Sequence, residues 1–109
     1  MRSKLTKTIV WEAFKALKPY GFKVWNFSDN RPLRKAMSGW VDYVVLSKRI
    51  IAFIECKVGE DVLSSNQVET KALIEHFVHD CPKTICSRIR YYIVNEHNCL
   101  DVRDEILSA

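Results

Sequence analysis

Read by the spacing of its apolar positions, the chain falls into seven segments in the order αβββαβα. Leu5, Ile9, Ala13 and Ala16, flanked by Val10, Phe14 and Leu17, recur at intervals of three and four and predict an amphipathic helix over Ser3–Lys18. Pro19 and Gly21 end it. Phe22–Phe27 alternates as a first strand. Val41–Leu46 and Ile50–Cys56 are rich in β-branched and aromatic residues and read as two strands joined by a turn at Ser47-Lys48-Arg49. A second helix begins near Ser64 and runs to about His79, with Gln67, Thr70, Ile74, Phe77 and Val78 on its inward stripe. Ile89–Asn95 is the last strand, and Leu100–Leu107 a terminal helix. Between the first two strands, Ser28–Ser38 has no period, and a stretch of that length in a small domain is usually functional or mobile.

The two central strands carry the candidate chemistry. An even loop, of either two or four residues, sets Leu46 opposite Ile51, Val44 opposite Phe53 and Asp42 opposite Glu55. Because side chains alternate along a strand, Asp42 and Glu55 then share a face with Lys57. A slip of one residue would separate the two acids. Facing carboxylates repel, and a divalent cation between them converts repulsion into binding. Oxygen donors suit a hard ion such as Mg²⁺. Lys57 is placed to hold an anionic group or an attacking water.

Composition narrows the class without choosing a function. The 109 residues suit one domain able to bury a core. A net charge of +4 permits a polyanionic partner without demanding one. No apolar run has the length of a membrane span or a signal-peptide core, so the expectation is a cytoplasmic protein of a prokaryote or a virus-infected cell, with reduced cysteines. His76, His79, Cys81, Cys86, His97 and Cys99 cluster late in the chain but do not follow a zinc-pair pattern. Cys56 reads as a small buried hydrophobe on the opposite face from Glu55. Arg31, Arg34 and Lys35 in the aperiodic stretch, and Lys48 and Arg49 in the turn, are candidate phosphate contacts, with a solvated basic loop as the plain alternative. Trp25 and Trp40 are candidates for base stacking, with core packing as the alternative for Trp25.

Asp42, Glu55 and Lys57 form a D-x12-E-x-K pattern with Gly39 ahead of it and a helix behind. This resembles the PD-(D/E)XK nuclease core, and over residues 9–95 the chain looks most like the virus-type replication-repair nuclease (VRR-NUC) branch, related to Holliday-junction resolvases. Val41 stands where that family usually has proline before its first acid. The resemblance implies a restriction-endonuclease-like αβββαβ core, with a mixed central sheet flanked by helices. It implies a Mg²⁺-dependent DNA endonuclease, with Mn²⁺ able to substitute, acting on branched DNA as a homodimer; Leu5 and Trp11 on the first helix are candidate interface residues. Asp42, Glu55 and the Cys56 backbone carbonyl would hold the metal. Glu12, in the family pattern E-x-x-x-x-L-x-x-x-G with Leu17 and Gly21, would be a third carboxylate; otherwise it is a solvated helix acid. Gln67, in the pattern L-S-x-x-Q, would belong to the active site; otherwise it closes a capping box with Ser64. The alternatives are a nucleic-acid-binding module without turnover and a zinc-bearing partner protein.

Overall fold

The computed structural model describes residues 2–28, 36, 38–58, 62–80 and 88–109. Their elements follow the expected order: α1 (Arg2–Lys15), a 3₁₀ turn (Lys18–Tyr20), β1 (Lys23–Asn26), β2 (Tyr43–Leu46), β3 (Ile51–Cys56), α2 (Ser65–Asp80), β4 (Ile89–Val94) and α3 (Cys99–Ser108). α1 stops three residues early. Pro19 disfavours helical geometry at Lys18 and has no N–H to give. The chain tightens into the 3₁₀ turn and leaves it through Gly21, whose φ of 89° is left-handed and whose N–H donates to the Lys18 carbonyl.

The strands form one mixed sheet in the order β1-β2-β3-β4. β1 with β2 and β2 with β3 pair antiparallel, while β3 and β4 pair parallel. A parallel pair needs a crossover, which α2 supplies. Between β2 and β3, Ser47 N–H donates to the Ile50 carbonyl, and the Ser47 hydroxyl accepts the Arg49 and Ile50 N–H groups. That even turn sets Leu46 opposite Ile51 and Val44 opposite Phe53, as the spacing predicts.

Alternation divides the sheet between two layers. Tyr43, Val45, Ala52, Ile54 and Val94 join Val10 and Phe14 of α1, Leu17 just beyond it, and Cys99, Val102 and Ile106 of α3 in the buried core. Trp11 stacks on Tyr43, with ring centroids 5.7 Å apart. α2 lies on the opposite face, where Lys71 stands over the Tyr91 ring. Three helices thus flank a mixed sheet.

The stripe of α2 differs from expectation at one position. Ile74 is buried and Gln67, Thr70 and Val78 are half-buried, but Phe77 is 64% exposed. At about 100° per residue, Phe77 lies about 60° from Ile74, on the same flank as Thr70 and Leu73. Trp25 also departs from core packing, at 43% exposed on β1. Among the described residues no helix is long and apolar enough to cross a membrane.

Candidate active site

The site begins where the β2–β3 ladder ends. The last paired residues are Tyr43 and Ile54. The Asp42 N–H also donates to the Ile54 carbonyl (3.1 Å), so two residues meet one and the chain bends. Asp42 is held from the other side as well, its carbonyl accepting the Phe27 N–H at 2.8 Å. Regular pairing therefore stops one step short of an Asp42–Glu55 pair. The Asp42 carboxylate reaches to β3 itself, where Oδ2 accepts the Cys56 N–H at 2.8 Å.

Glu55 and Lys57 leave the end of β3 that also ends the parallel pair. The Lys57 N–H donates to the Val94 carbonyl (2.9 Å), which fixes the backbone just past the strand. Open α/β sheets bind ligands outside the carboxyl ends of their parallel strands, and this is such an end. Asp42 is 5% and Glu55 2% exposed. Two buried carboxylates, one just before β2 and one in β3, carry a desolvation cost that hydrogen bonds, a paired charge or a bound cation must offset.

Gln67 ties the site together from the first turn of α2. Its Nε2 donates to Glu55 Oε1 (2.9 Å), while its Oε1 accepts from Lys57 Nζ (2.7 Å) and from the Ser64 N–H (2.9 Å). The Gln67 N–H in turn donates to the Ser64 hydroxyl. The capping box and the bridge between Glu55 and Lys57 therefore coexist, because an amide has a donor end and an acceptor end able to take two hydrogens. Gly39 lets these parts approach. A Cβ there would fall 2.6 Å from the Asn66 carbonyl oxygen, beside Gln67, and its φ is 88°.

The electrostatics agree with the geometry. Burial pushes the Cys56 thiol up to about 12, helped by the Asp42 charge and, less, by Glu55. Burial followed by Glu55 and Asp42 also raises the Tyr91 phenol. Both carboxylates thus contribute to raising both groups. Cys56 consequently stays a neutral thiol, unfit as a thiolate nucleophile or metal ligand. Tyr91 was not legible as a neighbour of the site, since its placement beside Phe53 follows only from the parallel register.

Asp42 and Glu55 are oxygen donors of the kind that could hold a hard cation. Among the described residues no group of three or more His, Cys, Asp or Glu side chains that could hold a metal ion is present. Two carboxylates, with a backbone carbonyl and water to complete the shell, suit Mg²⁺, which keeps several of its waters.

The other candidates are distributed differently. Glu12 is exposed on α1 and pairs with Lys15 at 2.8 Å, in keeping with a solvated helix acid. Lys48 and Arg49 are exposed at the far end of the hairpin, six or seven residues from Asp42 and so roughly 20 Å away. Arg31, Arg34 and Lys35 lie outside the described residues, as do Cys81 and Cys86. Cys99 is buried in the core, while His76 and His97 are exposed. Of the two candidate interface residues, Leu5 is 63% exposed and Trp11 is engaged with Tyr43.

Family models, curated proteins and solved structures contain no match to this chain.

Proposed function

We propose that the chain is a Mg²⁺- or Mn²⁺-dependent nuclease that hydrolyses phosphodiester bonds in DNA. The observation that carries this is the Glu55–Gln67–Lys57 hydrogen-bonded chain beside a second buried carboxylate, Asp42. Structural ion pairs are simpler than this: here two acids gather with one lysine, and that lysine is held by a neutral amide. Asp42, Glu55 and the Cys56 carbonyl would hold the cation. When bound, such an ion would supply Lewis acidity at the phosphate and lower the pKa of a coordinated water. Lys57 Nζ is positioned to donate to a phosphate oxygen as charge grows there. Gln67 keeps Lys57 and Glu55 at fixed separation, so the site needs little reorganisation when the substrate arrives. The bend at Asp42 turns that carboxylate toward the end of β3.

The resemblance to VRR-NUC nucleases extends the proposal to branched DNA and to a homodimer cutting two strands symmetrically. So small a domain has little room for base-specific readout, which favours recognition of shape and backbone. The test is cleavage of a labelled four-way junction beside flap, duplex and single-stranded DNA, in Mg²⁺, Mn²⁺ and EDTA, with Glu55→Gln as control. Metal-dependent cleavage lost in Glu55→Gln is expected. Symmetric nicking confined to the junction supports the resolvase, and cutting of every substrate removes the junction preference alone. Tight DNA binding without cleavage under any metal would replace the nuclease by a binding module.

A further inference from the structure

An apolar groove of about 580 Å³ opens between α2 and the sheet, with Trp40, Phe53, Thr70, Leu73, Phe77 and Ile89 among its lining residues. We propose that it receives an unpaired base of the nucleic-acid strand whose phosphate lies at Asp42, Glu55 and Lys57; this rests on the nuclease reading and adds a substrate contact to it.

Position is the first reason. Three elements run from the site directly into the groove. Phe53 precedes Glu55 by two residues on the same face of β3, Trp40 precedes Asp42 by two, and Thr70 follows Gln67 by one helical turn. Two strand residues span roughly 7 Å, so the near end of the groove is within one nucleotide of the carboxylates. Size is the second. The volume lies within the range of roughly 300–1,000 Å³ typical of small-ligand sites, ample for a base.

Chemistry is the third reason. Three of the lining residues are aromatic, and Trp40 is braced edge-on between Phe27 and Phe53, at 6.1 and 5.7 Å. Such rings stack any base through its π-face, while the open side leaves the polar base edge in water. Charge is the fourth. Lys57 stands at the near end, and the exposed Lys48–Arg49 turn follows the far end, where Ile51 lines the groove. Cations at both ends of an apolar trough complement a strand whose bases enter the trough and whose phosphates follow its rim. With almost no polar lining, the groove would hold bases without regard to sequence.

The test is fluorescence anisotropy of a flapped duplex with Ca²⁺ in place of Mg²⁺. Intact flap is compared with one made abasic at the two nucleotides next to the branch. The proteins are wild type, Phe77→Ala and Phe77→Trp; Phe77 is exposed, so its replacement leaves the core alone. Wild type should bind the intact flap roughly tenfold more tightly than the abasic one. Phe77→Ala should bind both alike, and Phe77→Trp should restore the difference. Equal binding of the two flaps by wild type, or an equal loss on both in Phe77→Ala, would overturn the base site. Base-independent binding with a dimer that Phe77→Ala dissociates in sedimentation would assign the groove to a second copy instead. Base-dependent binding without cleavage in Mg²⁺ would sink the nuclease and keep the groove; cleavage with base-independent binding would do the reverse.

Discussion

At the scale of single residues, Gln67 shows how one side chain serves both folding and chemistry. Replacing it with alanine removes the donor to Glu55, the acceptor for Lys57 and half of the capping box at once. Gln67→Ala should lower the cleavage rate at least tenfold and cost about 1 kcal/mol of stability, in line with other caps. Ser64→Ala should cost a similar stability but far less rate, since its backbone N–H remains. Steady-state kinetics and urea titration of both variants separate the two roles. Cys56 offers a second check. Its thiol is raised to about 12 in the fold against 9.0 for the ordinary group. Above pH 9 the unfolded chain gives up a proton that the folded chain keeps, so stability is full below pH 9 and falls as pH rises toward 12. Denaturation of wild type and Cys56→Ala between pH 8 and 11 should show a shallower decline in the variant. Equal slopes would remove this account. Native Cys56 should also resist alkylation at pH 8.

At the scale of elements, the approach of the segment before β2 to the start of α2 decides whether the site assembles. Ser38 accepts a hydrogen bond from Asn66 Nδ2, and Gly39 packs against the Asn66 backbone. Gly39→Ala should cost about 1–2 kcal/mol from the left-handed φ alone, and more because the added carbon meets backbone rather than a pliable side chain. The displaced first turn of α2 should carry Gln67 away from Glu55, so activity should fall more than stability does. Full activity in folded Gly39→Ala would show that the contact is not needed. The helices, the hairpin and its turn were legible because each depends on residues near one another in sequence. The early stop of α1 at Lys15 was not, since it required weighing the Pro19 effect on Lys18 against an apolar stripe that continues to Leu17.

At the scale of the whole molecule, two buried acids at one end of the sheet should couple the stability of the fold to divalent cations. Binding to the folded state alone adds RT ln(1 + [L]/Kd), or about 2.7 kcal/mol at a hundredfold excess over Kd. Mg²⁺ should therefore raise the melting temperature of wild type by several degrees and that of Glu55→Gln little. Without metal, Glu55→Gln should melt higher than wild type, since one buried negative charge is gone. Differential scanning fluorimetry with Mg²⁺ and with EDTA measures both, and a cation response equal in the two proteins would contradict a site at Glu55.

What the sequence determined by itself was the order αβββαβα, the register of Val44 with Phe53, and the presence of Asp42, Glu55 and Lys57 at one end of a hairpin. Alternation and an even turn are local rules, and they suffice for that much. Only the tertiary structure decided the rest. Parallel pairing of β4 with β3, which brings Tyr91 beside Phe53, is set by a crossover and not by local pattern. The bend at Asp42 and its bond to Cys56 arise where two strands stop matching. The exposure of Glu12 and Phe77 depends on which flank of each helix the sheet covers. Gln67 could serve two roles because α2 enters directly above Glu55, an approach that Gly39 permits by having no side chain.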